Sequence, residues 1–276
     1  MFGKFKKNMQ LYVGGAIVVF FVLVGIFAPL IATHDPLHMH SPQHLTRLQP
    51  PSAEHFFGTD DFGRDIFSRV VHGARISLIV GVTATALGAA VGVVLGILSG
   101  YFGGVIDTFT MRIMDVMLSF PTLLLALVVV TILGRSTFSV ILTVAVVNIP
   151  TFARIVRGST LSVKKLEYID AVRAVGAGNS RIIFVHILPN IMSPIIVQAT
   201  LNVGIAIVLA AALSFLGIGI PVPTPEWGAM IEAGRPFWNR APHMILYPGL
   251  MIFLFIVGIN LFGDGLRDHF EPKKRS

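Results

Sequence analysis

Residues 167–190 read EYIDAVRAVGAGNSRIIFVHILPN, a charged, ordered stretch between two strongly apolar ones. A passive linker would be rich in Gly and Ser. Here apolar residues recur at helical spacing over 161–175, with Leu161, Leu166, Ile169, Val172 and Val175 mostly toward one side. Gly176 and Gly178 then break the pattern, because glycine readily takes the left-handed conformation that ends a helix. Asn179 and Ser180 are N-cap residue types for a second short helix through 181–185. Pro189 suits the first turn of the next span, where its missing N–H costs little. A short helix tied between two spans and carried outside a bilayer is a handle for another protein.

The bilayer follows from composition. The chain is 54% hydrophobic and 13% charged, with a mean hydropathy of +0.79, whereas soluble domains are about a quarter charged. Apolar runs near 11–32, 76–99, 116–133, 140–152, 191–216 and 245–262 predict six spans. About 20 apolar residues cross a bilayer, and backbone amides in lipid must be satisfied within the segment, so the spans are expected to be helices. Pro29 directly after Ala28 blocks the favoured cleavage point of a signal peptide, so the first run reads as an uncleaved span. The absence of cysteine excludes a disulfide framework, a thiolate metal site and a cysteine nucleophile.

Charge sets the expected orientation. With the N-terminus inside, Arg47, Arg64, Arg69, Arg75, Arg135, Arg235 and Arg240 fall outside, and the other fourteen of the 21 Lys and Arg residues fall inside. That satisfies the positive-inside rule, so both termini and the handle are expected in the cytoplasm of a multi-pass inner-membrane protein. The net charge of +7 is then topology rather than a nucleic-acid face. The expected organisation is a cytoplasmic tail (1–10), a first span (11–32), an extracytoplasmic loop with an interfacial helix (33–75), a five-helix core (76–264) containing the handle loop (158–190), and a basic cytoplasmic tail (265–276). In the second span Ala84, Gly88, Gly92, Gly96 and Gly100 repeat every fourth residue, one face on which a neighbouring helix can approach closely. The neighbour is either in this subunit or across a subunit seam; spacing leaves both open.

Two motifs carry a family resemblance. Asp170-Ala171-Val172, then Gly176, then Leu188-Pro189 resembles the EAA loop of binding-protein-dependent ABC importer permeases. The chain departs from that pattern at Asp170 for Glu, at Val172 for the second Ala, and at His186 for Ile. Gly58-Thr59-Asp60-Asp61-Phe62-Gly63-Arg64-Asp65-Ile66-Phe67-Ser68-Arg69 is similar to the GTDxxGRDxxSR signature of the C-type permease of the dipeptide, oligopeptide and nickel group. Together with DVMLSFP at 115–121, the resemblance runs over nearly the whole chain. It implies an all-α type I ABC importer permease fold with a cytoplasmic coupling helix, pairing with a homologous second permease to enclose one path. It further implies two ATPase subunits on the cytoplasmic loops, an extracytoplasmic solute-binding protein, and cargo of short peptides, with nickel or another small solute as the alternative. The ATPase-coupling residues would be Glu167, Asp170, Ala171, Val172, Arg173, Ala174, Gly176, Ala177, Arg181 and Pro189.

The residues themselves add to this. No G-x-x-x-x-G-K-[ST] loop occurs, the only Gly-Lys pair being Gly3-Lys4, so ATP hydrolysis is expected in another subunit. No nucleophile, base and acid align, so neither an enzyme nor a cofactor is expected. Asp65 and Arg69 are spaced as an i,i+4 pair, with Thr59 or Asp60 as the N-cap of their helix. Gly58, Thr59, Asp60, Gly63, Arg64, Asp65 and Arg69 thus read either as an interfacial element orienting the second span or as solute contacts. Six of nine histidines lie between His34 and His72. Among them His34, His38, His40 and His44 read either as a soft-cation site or as a solvated, proline-punctuated loop. Asn148, Gln198, Asn202 and Asn260 are polar groups within spans that lipid would penalise. Each serves interhelical bonding or the solute, and Asn148, Gln198 and Asn202 are the pathway candidates. Glu226, Trp227, Glu232, Arg235 and Trp238 form either a docking rim or an ordinary folded loop. The rival class, a self-sufficient channel or secondary transporter, would need ionisable groups at mid-membrane, and the span cores carry amides instead.

Overall fold

The computed structural model describes residues 2–37 and 47–270, with side chains from residue 9 onward. Among these the regular elements are all helices, and one isolated bridge joins Thr59 and Asp65. Five helices are long and apolar enough to cross a membrane: α1 (Phe2–Ile26), α3 (Ile66–Phe102), α6 (Thr137–Lys164), the continuous Asn179–Phe215 and α11 (His243–Phe270). A bent pair, α4 (Gly104–Ser119) and α5 (Thr122–Leu133), supplies a sixth if counted as one span. The remaining elements are α2 (Ala28–Ile31), α7 (Glu167–Ala174), α10 (Trp227–Gly234) and a 3-10 turn at Arg235–Phe237.

Three expectations are corrected here. The third span does not run straight over 116–133. It bends by 99° between α4 and α5, because Pro121 pushes Phe120 out of the helical region to ψ 141. The fourth is longer than 140–152: α6 passes through Pro150 and ends only at Lys164. Nor, among the described residues of 33–75, does a helix separate from α3 precede the second span. At 1.5 Å per residue the 37 residues of α3 rise about 55 Å, roughly 25 Å more than a hydrocarbon core of about 30 Å. Its first turns are the projecting element.

α3 is the axle of the bundle. It packs most extensively on α6, then on α9 (Leu188–Phe215) and α1, while α11 closes against α1 and α9. The small-residue stripe is the α3–α6 seam: the Cα positions of Gly88, Gly92, Gly96 and Gly100 face α6 so closely that an added Cβ would lie 2.5 to 2.9 Å from its atoms. The neighbour left open by spacing is therefore in this subunit. Mid-bundle, Val80, Ala84, Val130, Val144, Ala206 and Leu213 form one buried cluster. Toward the α10 end, Phe21 meets Trp227 and Phe255 edge-on at ring separations of 5.8 and 5.5 Å. Many large apolar side chains stay exposed on α4 and α5, such as Val105 and Ile132; in a membrane protein these face lipid or another subunit.

Candidate functional site: the handle and the cap

The handle begins where α6 stops. Lys165 closes that helix and Leu166 turns extended (ψ 135), starting α7 one residue later. The single helix expected over 161–175 is thus two, broken at Lys165-Leu166. Ile169 is fully buried, and Val172 and Ala177 sit half-buried against Ile97, Tyr101, Val156, Ile182, Ile183 and Ile187. Burying Ile169 alone contributes roughly 1.5–3 kcal/mol toward docking α7. The helix ends in a Schellman motif: Ala177 N–H bonds Val172 O at 3.3 Å, Gly176 N–H bonds Arg173 O at 3.0 Å, and Gly176 takes φ +88°.

Asn179 does not cap a second helix, because Gly178 occupies that position and the chain runs on without a break. A π-helical stretch, Ile182–Ile187, joins the short Asn179–Arg181 turn (α8) directly to α9, and Pro189 sits in the first turn of α9 rather than opening an isolated span. Such insertions re-phase a helix face; here they bring Ile182, Ile183, Ile187 and Ile191 onto one buried side. Tyr101 O–H donates to Asn179 Oδ1 at 2.7 Å, and Asn190 Nδ2 donates to Tyr168 O–H at 3.2 Å and to His186 O at 2.6 Å. His186, the sequence departure, therefore acts through its carbonyl. The handle is bolted to α3 and α9 at both ends.

Its other side is bare. Glu167, Asp170, Ala171, Arg173, Ala174, Gly176, Arg181 and Pro189 are exposed, and Val175 is 87% exposed. Asp170 pairs with Arg173 at 3.0 Å on the same helix, both largely in solvent, a pairing worth little on its own. Arg157 makes a bidentate pair with Asp107 beside this end, and Arg154 meets Asp115 at 2.6 Å. These pairs hold the first half of the bent span to α6.

At the opposite end the residues 58–69 fold into a closed cap. Asp60 accepts from the backbone N–H of Phe62 and Arg64, each at 2.9 Å, from Arg64 Nε at 2.7 Å, and lies 3.6 Å from Arg69 Nε. The N-cap of α3 is Asp65, accepting from Ser68 N–H at 2.8 Å, not Thr59 or Asp60. The expected Asp65–Arg69 pair is likewise replaced. Arg69 reaches Asp60 and the carbonyls of Pro36 and Pro223, while Asp65 meets His55 at 3.0 Å. Gly58 and Gly63 both hold φ +78°, and a Cβ on Gly58 would lie 2.3 Å from Gln49 O. Asp60, Arg64, Asp65 and Arg69 are all buried, so in this conformation the motif binds itself.

Comparison with known proteins fits this layout. A family model described as binding-protein-dependent transport system inner membrane component matches residues 92–276. The chain belongs to this family. A second model, the N-terminal TM domain of oligopeptide transport permease C, matches residues 1–51. The dipeptide transport system permease protein DppC of Alkalihalophilus pseudofirmus is 50% identical over 275 residues, covering 100% of this chain and 90% of that one. The glutathione transport system permease protein GsiD of Escherichia coli is 45% identical over 270 residues, covering 98% and 88%. Two solved structures share the fold. An inward-facing MetNI methionine ABC transporter has a TM-score of 0.58 at 20% identity, covering 71% of this chain and 93% of its own. An amino acid ABC transporter with histidines has a TM-score of 0.56 at 14% identity, covering 75% and 95%.

In this permease Asn148 and Asn202 are buried between helices, and Gln198 is half-buried with its Nε2 donating to Asn202 Oδ1 at 2.9 Å. Asn260 instead lies exposed on α11. Glu226 and Trp227 are no rim. Glu226 caps α10 through Gly228 and Ala229 N–H, and Trp227 Nε1 donates to Val70 O at 3.0 Å. Glu232 is half-buried, and Arg235 and Trp238 stay exposed. Of the loop histidines, His34 is described, whereas His38, His40 and His44 lie outside the described residues. The sequence does not mark Tyr101, Tyr168 or the Asp107–Arg157 pair, whose partners lie 18 to 78 residues away; no local spacing signals them.

Proposed function

We propose that this chain is the permease subunit of an ATP-driven importer of short peptides, pairing with a homologous permease and receiving cargo from an extracytoplasmic binding protein. The observation that carries the proposal is α7: a helix rigidly docked by Ile169 on one side and bare from Glu167 to Val175 on the other. In the orientation that the positive-inside count supports, α7 faces the cytoplasm. Two ATPase subunits would grip such handles, one on each permease. Closing on ATP would push α7, and the bolts at Tyr101–Asn179 and Tyr168–Asn190 would pass that push to α3 and α9. Short peptides as cargo rest on the names of the relatives, one a dipeptide and one a glutathione permease. Gln198 with Asn202 behind it is the proposed polar contact on the path.

The test is Gly176→Pro against Gly176→Asn in a peptide-uptake assay with the ATPase subunits co-expressed. Proline's fixed φ near −65° cannot hold the +88° that Gly176 takes, whereas asparagine tolerates it. Uptake should fall at least tenfold in the proline variant while asparagine retains most of it. Uptake that survives both Gly176→Pro and ATP depletion would end the importer reading.

A further inference from the structure

Three side chains outside the handle converge where the chain leaves α2 and enters α3. His34 follows α2, His55 sits in the turn that precedes Gly58, and Asp65 caps α3. One ligand atom from each lies within 4.8 Å of the other two. His55 Nδ1 is 3.0 Å from Asp65 Oδ1, His34 Nδ1 is 3.8 Å from Asp65 Oδ2, and the two imidazole centroids are 4.8 Å apart. We propose that this cluster is a binding site for a borderline divalent metal ion, zinc being the reference case, which clasps three separate segments of the cap together.

The donor set fits. Two imidazoles and one carboxylate are a common three-ligand zinc set, leaving a fourth position for water. Imidazole nitrogen favours zinc, nickel or copper over calcium and magnesium, which take oxygen shells. At metal–donor distances of roughly 2.0–2.2 Å, tetrahedral donors stand about 3.3–3.5 Å apart. His55 and Asp65 already do so within half an ångström; His34 must close by about as much on Asp65 and by up to about 1.5 Å on His55, since the three donor atoms span as much as 4.8 Å.

A hydrogen bond from His55 and the cap to Ser68 N–H account for Asp65 by themselves. The His34 backbone N–H donates to Ser68 Oγ at 3.0 Å, which holds a second imidazole facing the same carboxylate from 31 residues away. Access is graded to match. The Asp65 and His55 side chains are 0% and 2% exposed, and His34 is 24% exposed, so it is the door. On binding, the proton between His55 Nδ1 and Asp65 is displaced so that the nitrogen lone pair faces the ion. Thr33 Oγ1, 3.0 Å from His34 Nδ1, gives up that contact to the ion. With no cysteine in the chain, no thiolate competes for the ion.

The experiment is zinc binding to the full-length chain purified in detergent, read as metal content after dialysis and as a melting shift on adding zinc chloride. Parent protein should retain about one zinc per chain and melt higher with zinc. His34→Ala should weaken zinc binding roughly 100-fold yet fold normally, since its ring is partly exposed. His55→Ala should behave likewise. If it fails to fold, His34→Ala decides alone. The triple variant His38→Ala, His40→Ala, His44→Ala should keep its zinc. The proposal is overturned if the parent holds no zinc, if His34→Ala binds as the parent does, or if only the triple variant loses the ion.

Discussion

Gly92 offers the sharpest test of how the bundle is built. An alanine Cβ there would lie 2.5 Å from Phe152 Cβ, 2.9 Å from Ile149 O and 3.1 Å from Ala153 N. Carbon atoms rest at about 3.5–4.0 Å, so the shortfall is about 1 Å. Two of the three opposing atoms are backbone, and Phe152 is fully buried, so no rotamer change relieves it. α3 and α6 must part by about an ångström along a seam where Gly88 and Gly96 are as tight. Overpacking of this kind costs typically 1–3 kcal/mol. The helix gains roughly 0.5–1 kcal/mol from replacing glycine, leaving a net loss of about 1–2 kcal/mol. The assay is thermal unfolding of the isolated chain in detergent, where that loss lowers the melting temperature by roughly 2–8 °C. Gly158→Ala is the control, because its Cβ would meet nothing within 4 Å; it should melt at or slightly above the parent. If Gly92→Ala melts with Gly158→Ala, and destabilises only the assembled transporter, the stripe is a seam between subunits and the reasoning fails.

Two further outcomes follow from buried charged side chains, Arg69 in the cap and Glu226 at the start of α10. Arg69→Ala removes the donor to the carbonyls of Pro36 and Pro223 and one of two cations near Asp60. The expected loss is about 3 kcal/mol, the low end for breaking a buried pair because Arg64 still holds Asp60, read as a lowered melting temperature and faster proteolysis of the 47–65 segment. Burial holds the Glu226 carboxyl above its ordinary value, opposed by the N–H groups of Gly228 and Ala229 that it accepts from. The folded form therefore prefers the proton. Glu226's contribution is full below its unfolded value near 4.5 and is lost as pH rises through the higher folded value. The melting temperature of the parent, minus that of Glu226→Gln, should fall as pH is raised from 4.5; a difference that is flat or rising refutes this.

What the sequence alone determined was what short-range physics can encode. Hydropathy marked the apolar runs, because lipid admits only helices whose amides are satisfied within the segment. Four-residue spacing put Gly88, Gly92, Gly96 and Gly100 on one face, and Gly176 marked the end of the handle helix, since a left-handed residue is a local requirement. Tertiary structure decided everything that depends on who meets whom. The stripe needed α6 opposite it before it became a seam within the chain. Asp65 and Arg69, correctly spaced for each other, took other partners, because at the folded cap His55 and Ser68 reach Asp65 first while Asp60 draws Arg69. Two of the clustered histidines, His34 and His55, meet Asp65 only because the fold brings the end of α2, the turn before Gly58 and the start of α3 together. A spacing rule lists the contacts a helix could make; desolvation decides between them, because once a charge is buried only the partner within hydrogen-bond reach counts.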